Sequence, residues 1–442
     1  MGEQNMTDSQ EELLESEAKE SPITADGRDR VFAFIYLVLG YVFINGIFNE
    51  HFRRNIAIFT IGYTVLVVTY MLLKGRKPAK EGYFWTLILL GIGIPYAWWS
   101  IMPAFQILAL EFVSLYWTSA IGGKLMENRK TSQWVFCDSV NAVLIIPFHN
   151  IICHAKVLLG GREEKEGAGK HPAGKIWAVG LGIIITVPLL TIILPLLGSA
   201  DSGFEQFMRY SGFFIRENFS EYILKFLFSL PVSAYLFGLI YGVTHDRNTD
   251  RIKKENIRES GRNIKIIPDI AIHTAVLLVC LVYLLFIGFQ TRYLFSAFVG
   301  IRPEEFTYAE YARRGFFELC DISVVNLVIL FGANLFAKTG SGKNVWLKRE
   351  NVLLSTLTLL LIVTAMSKML LYISVYGLTD KRIITLIFMI WMFLVFICSI
   401  IFQYRNISVF RICIMSGAAL FCLLCVVPVA HCIAAFNTYF EF

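Results

Sequence analysis

Eleven apolar runs, each 19 to 27 residues long, cross this chain and are almost free of charge. They cover 31–49, 55–73, 83–101, 103–121, 176–197, 219–243, 270–290, 315–337, 351–377, 383–402 and 412–435. The hydrocarbon core of a bilayer is roughly 30 Å thick and takes about 20 residues of helix to cross. Inside it every backbone N–H and C=O must find a partner within the protein, which leaves helices and closed barrels. Barrel strands alternate apolar and polar residues, whereas these runs are continuously apolar. The predicted fold is therefore all-α: a polytopic helical membrane bundle of about 11 transmembrane helices plus interfacial or re-entrant helices.

Charge then orients the bundle. Only 17% of residues are charged, against about a quarter in a soluble domain, and the basic ones collect in every second gap. With the N-terminus inside, the inner segments hold 28 Lys and Arg and the outer segments 10, and two more lysines, Lys225 and Lys368, lie within runs. A bias of this size over short loops sets topology. It places the N-terminus in the cytoplasm and the C-terminus outside, and it explains the net charge of +6 without a nucleic-acid partner. Residues 1–30 are polar and acidic and read as a disordered cytoplasmic tail. No cleavable signal peptide is visible, since the first apolar run is long enough to span.

Four regions follow: the tail 1–30, a four-helix membrane region 31–132, an interfacial segment with a linker 133–175, and a seven-helix membrane domain 176–442. Within 133–159, Asp138, Asn141, Pro147, His149, Asn150 and His154 make a lipid-exposed span costly. This predicts an interfacial or re-entrant helix pair on the cytoplasmic side. The linker GGREEKEGAGKHPAGK and the basic loop 244–269 read as solvated, topology-setting segments, with attraction to anionic headgroups as the sharper alternative. GSGKN at 340–344 lacks the first glycine, the terminal Ser/Thr and the preceding strand of a phosphate loop, and is rejected. Nine cysteines sit almost wholly in apolar context, including the Cys422–Cys425 pair, and read as packing residues rather than a redox motif. No metal or cofactor motif is present, and no nucleophile has a base at a diagnostic spacing.

Three polar segments fall on the outer side. LLGSADSGFEQFMRYSGFFIR (196–216) predicts a helix capped by Ser199 or Asp201 and lying on the membrane surface. QTRYLFSAFVGIRPEEFTYAEYARRGFFEL (290–319) keeps four arginines against the topological preference, with a Glu310–Arg314 ion pair at i,i+4. Residues 372–382 form a tight turn, with Gly377 ending one helix and Thr379 or Asp380 capping the next. Beneath these, Asp321 and Lys368 lie at matched depth in consecutive antiparallel helices. A charge at such depth costs roughly 2.5–3.5 kcal/mol unless paired or wetted, which predicts an Asp321–Lys368 pair. Tyr372 and Tyr376 share the Lys368 face. A structural ion pair and a water-accessible outward cavity compete as readings of this cluster. Glu111, His273, Asn326, Asn334 and His431 read as isolated, hydrogen-bonded packing residues.

LLGSADSGF (196–204), TYAEYARRGFFEL (307–319), SKMLLYISVYGLTDKR (367–382) and IIPFHN (145–150) together resemble landmarks of a bacterial multi-pass membrane family catalogued as a domain of unknown function (the 4173/4153 type). The resemblance covers roughly 137–442. It departs at Lys368, where arginine is expected, so a charge is kept and a planar bidentate partner lost. It implies a fold type and a bacterial plasma membrane, and no reaction.

The leading expectation is a transport-like or ligand-sensing protein with an outward polar site. Asp201, Arg313, Arg314, Glu318, Asp321, Lys368, Tyr376 and Arg382 would line it and favour an anionic solute or lipid headgroup. The alternatives are a non-catalytic accessory of envelope assembly or signalling with a protein partner, and an intramembrane enzyme acting on lipid-linked substrates.

Overall fold

The computed structural model describes residues 23, 25–47, 52–159, 219–252, 254, 267–301, 303–336, 345–405 and 407–440, with isolated residues 193, 197 and 203. The apolar run 176–197, the segment around Asp201, the Gly-rich linker, most of the 244–269 loop, GSGKN and most of the acidic tail lie outside the described residues. Among the described residues there is no strand, and ten helices are long and apolar enough to cross a membrane. The protein is a multi-pass helical membrane protein.

The chain divides into two compact units. Unit 1 holds α1 (Gly27–Ile47), α2 (Phe52–Leu73), α3 (Lys80–Gly93, extended by the turn Pro95–Ala97), α4 (Pro103–Ile121), α5 (Val135–Leu158) and α6 (Phe219–His245). Unit 2 holds α7 (Asp269–Phe289), α8 (Thr291–Phe295), α9 (Tyr308–Phe336), α10 (Val345–Tyr376), α11 (Asp380–Tyr404), α12 (Val409–Val426) and α13 (Val429–Tyr439). The main division falls at Arg251/Ile252, in the second hydrophilic loop rather than the Gly-rich linker, and Trp99–Pro103 and Thr131–Val135 group with unit 2. It leaves α6 with the first unit because α6 packs antiparallel along α1. Lys225 Nζ donates to Asn45 Oδ1 (3.3 Å), Ser233 to the Leu37 carbonyl (3.5 Å), and His245 Nε2 lies 3.7 Å from Asp29.

Helix α1 begins at Gly27, so Asp26 and Asp29 are ordered structure rather than part of a disordered tail. Each accepts the other's backbone N–H at 2.9 Å, a reciprocal cap for the first turn. The last apolar run is likewise two helices, since Pro428 separates α12 from α13.

Helix α5 has the length and composition of a span, but its bonds hold it at one end of unit 1. Asp138 Oδ1 accepts from the Met126 N–H (2.9 Å) in the loop after α4, and Asn150 Nδ2 donates to the Arg247 carbonyl (3.1 Å) after α6. Those two loops are joined by the Lys124–Asp246 ion pair. Twelve residues of helix measure about 18 Å, so a crossing segment cannot anchor both residues at one end. A π-turn at Asn141–Ile145 and Pro147 interrupt the regular helix between them. Close approach to α6 requires Gly238, where a Cβ would stand 2.9 Å from the Pro147 and Asn150 carbonyl oxygens.

In unit 2, α10 is the central helix. Its buried positions Asn351, Leu354, Ser355, Thr358, Leu361, Ile362, Ala365, Lys368 and Met369 recur at helical spacing. They meet Tyr311, Gly315, Leu319, Ser323, Asn326 and Leu330 of α9. Polar side chains join these helices where lipid offers no alternative partner. Tyr283 donates to Asn326 Oδ1 (2.8 Å), Asn326 Nδ2 to Thr358 (2.7 Å), and His273 Nδ1 meets Glu350 (2.8 Å). Asn334 donates to the Leu330 carbonyl (2.6 Å). His273, Asn326 and Asn334 are therefore hydrogen-bonded packing residues, whereas His431 is exposed.

Candidate functional site

The end of unit 2 that carries the 377–379 turn collects the charged and aromatic residues. A capping box starts α9: the Thr307 N–H and hydroxyl donate to Glu310 Oε2 (3.0 and 2.8 Å), and the Glu310 N–H donates to Thr307 Oγ1 (3.2 Å). Glu310 is thereby committed to its own helix terminus and does not pair with Arg314, as the i,i+4 spacing had predicted. Arg314 pairs instead with Glu318, Nε to Oε1 at 2.9 Å, and its guanidinium stands 5.4 Å from the Phe306 ring centre.

Lys368 lies directly inside that pair. It is 2% exposed, and its Nζ sits 4.7 Å from the ring centre of Tyr311, which is 1% exposed. Gly315 makes room for it, since a Cβ there would stand 2.8 Å from Lys368 Cδ. Tyr311 is fixed in turn by a 2.9 Å hydrogen bond shared with the Ser296 hydroxyl. Ser296 comes from the segment after α7, which turns back over the bundle with Leu294 and Ala297 buried in the core. Cations over aromatic faces gain about 0.5–2 kcal/mol, more as water is excluded.

Arg382, at the start of α11, forms the third cation–aromatic contact. Its guanidinium lies 3.8 Å from the Tyr372 ring centre and donates to the Tyr376 carbonyl (2.9 Å) and to that of Gly377. Gly377 has φ 72°, the left-handed conformation expected of a residue that ends a helix. Thr379 occupies the cap position of α11 without a capping side-chain bond. Tyr376 is 56% exposed and bridges Tyr372 and Tyr308 edge-on, at 5.5 and 6.2 Å. Asn437 of α13 braces the turn, accepting from the Leu378 N–H (2.7 Å) and donating to the Leu378 carbonyl (3.0 Å).

Of the residues singled out in the sequence, Arg314, Glu318, Lys368, Tyr376 and Arg382 thus belong to one end of the unit 2 bundle. Arg313 is exposed on α9, and Asp201 lies outside the described residues. The Asp321–Lys368 pair does not form. The two residues are neither level nor on facing sides: Lys368 lies opposite Gly315, six residues or about 9 Å along α9 from Asp321, and at 3.6 residues per turn Asp321 is rotated about 120° from Gly315. Asp321 is exposed, and the carboxylate whose charge acts on Lys368 is Glu318.

Unit 1 holds a second charged cluster, which the sequence reading passed over. Asp29, 1% exposed, accepts from Lys74 Nζ (2.6 Å) and the Tyr70 hydroxyl (2.6 Å), and Lys74 also reaches Asp26 (2.9 Å). His245 stacks on Tyr241, ring centres 4.1 Å apart, with its Nε2 toward Asp29. Burial works to raise the Asp26 carboxyl, but the Lys74 ammonium and the Asp29 N–H outweigh it and bring it down to about 2. The available signal was topological: in an antiparallel hairpin, acids just before the first span meet a lysine just after the second. The nine cysteines are free thiols, and among the described residues no group of acids, cysteines and histidines is spaced for a metal.

A family model described as a domain of unknown function, DUF4153, matches residues 33–439. The match begins about a hundred residues earlier than the sequence landmarks and takes in both units. No curated protein and no solved structure is detectably similar to the chain. With a match over nearly its full length, the chain belongs to the DUF4153 family of unknown function.

Proposed function

We propose that the protein is a ligand-binding component of a bacterial plasma membrane, transport-like or sensory, and that unit 2 receives an anionic group between Arg314, Lys368 and Arg382. The observation that carries this reading is the Arg314–Glu318 pair, whose side chains are 59% and 41% exposed, standing over the buried Lys368 ammonium. Glu318 acts as an internal stand-in for the ligand: a carboxylate held by one guanidinium and acting on the ammonium beneath it. An incoming phosphate or carboxylate takes over those two cations, with Arg382 as the second guanidinium at the same end. Guanidinium groups recognise such anions through paired, charge-assisted hydrogen bonds. The 28-to-10 bias of basic residues supports an orientation with the N-terminus cytoplasmic and this end facing outward.

The shared chemistry is an anionic oxygen group, presented by a free solute or by a lipid. Purified protein in detergent, titrated with inorganic phosphate and separately with short-chain phosphatidylglycerol, distinguishes the two sources. Arg382→Gln is expected to weaken binding of the preferred anion about tenfold. Glu318→Gln is expected to tighten it, because the competing carboxylate is gone. Binding of neither anion, or binding indifferent to both substitutions, overturns the reading.

A further inference from the structure

Unit 1 contains a chamber of about 460 Å³ walled by α1, α2, α3, α4, α5 and α6. Its lining is apolar, with Phe59, Leu110, Phe148 and Leu236 among the walls. Five polar residues interrupt it, and four are already satisfied. The Tyr63 hydroxyl shares a 2.7 Å hydrogen bond with Thr118, and Tyr235 donates to the Val143 carbonyl (2.6 Å). Thr60 donates to the Ile56 carbonyl (2.8 Å) and Ser114 to the Glu111 carbonyl (2.7 Å). The fifth is Glu111, whose carboxyl has no hydrogen bond or ion pair among the described residues.

Glu111 lies eight residues into α4 and ten from its end, about 12 and 15 Å along the axis, so it sits near the middle of the span. A carboxyl at that depth is kept only where it has a partner, a wet cavity or a task. The chamber is within the 300–1,000 Å³ range of small-molecule sites and has the pattern of one: apolar walls, four polar groups already satisfied, and one carboxylate, that of the exposed Glu111, left to meet a ligand.

We propose that unit 1 binds a lipophilic amine, its hydrocarbon body in the chamber and its protonated nitrogen on the Glu111 carboxylate. The charge of the one unsatisfied group selects the ligand class. An ammonium donates a charge-assisted hydrogen bond and neutralises the carboxylate, an alcohol gives a neutral hydrogen bond, and a fatty acid brings a second carboxyl to the first. This site is independent of the anion site in unit 2.

The test uses full-length protein in nanodiscs and three probes of equal chain length: hexadecylamine, hexadecanol and hexadecanoate. The amine is expected to bind about tenfold more tightly than the alcohol, with hexadecanoate weakest. Glu111→Gln should abolish the preference for the amine while leaving binding of the alcohol. Ile107→Trp, which fills the chamber, should remove binding of all three at unchanged thermal stability. Equal binding of the three probes, a preference that survives Glu111→Gln, or binding that survives Ile107→Trp overturns the proposal.

Discussion

Each unit holds a lysine with little exposure, and the two are managed in opposite ways. Lys74 in unit 1 sits 2.6 Å from Asp29 and 2.9 Å from Asp26, with Tyr70 completing the hydrogen bonding of Asp29. Lys368 in unit 2 lies over the face of Tyr311, and Glu318, the carboxylate acting on it, is already bonded to Arg314. The first arrangement closes: the ammonium is matched by short contacts to two carboxylates and joins the ends of α1 and α2. The second keeps its cations on aromatic supports, with the partly exposed Glu318 bonded to Arg314 and acting on Lys368. A closed cluster holds helices together, and the proposed anion site requires the open one to exchange its counter-ion.

The contrast gives its largest effect at Asp29. Asp29→Asn keeps the shape of the side chain and removes the charge that matches Lys74. Removing one partner of a buried pair costs about 3 kcal/mol or more, so the substitution should lower stability by about that amount in denaturant titration of the purified protein. A loss indistinguishable from that of an exposed surface substitution would break the distinction between the clusters.

A smaller effect concerns acid. The folded Asp26 carboxyl titrates at about 2, below the roughly 3.9 of an unfolded aspartate. Its contribution is therefore fully present above pH about 4 and is lost as the pH falls toward 2. Asp26→Asn should flatten the pH dependence of the unfolding midpoint in that window, and Glu318→Gln in unit 2 should leave it unchanged.

Much of this was legible in the sequence. The apolar runs gave the class of fold, because a bilayer accepts few backbone solutions. The polar residues of 133–159 were a sound signal of a segment packed against protein, because Asp138 and Asn150 need partners that lipid does not supply. The site residues were legible by type but not by register or rotation. Counting from the helix ends sets Asp321 beside Lys368, yet Gly315 is the residue that meets Lys368, and which residues of α9 meet α10 depends on packing that no spacing encodes. The Asp29 cluster was hidden for a different reason: its members stand at the ends of three helices, and their union depends on α6 returning beside α1. Glu111 stood out only as an isolated charge. Its significance depends on a chamber that six helices assemble.

Lys368 is the residue on which the anion site and the stability of unit 2 separate. Lys368→Met preserves the length and apolar stem of the side chain and deletes the charge; Glu318 stays bonded to Arg314, so no buried carboxylate is left unpaired, and the desolvation cost of the ammonium is removed. Stability and anion binding should be measured on the same preparation of this variant. Stability within about 1 kcal/mol of the parent and at least a tenfold loss in affinity for the preferred anion are expected. A variant that unfolds as readily as Asp29→Asn, or one that binds the anion as tightly as the parent, would contradict this separation.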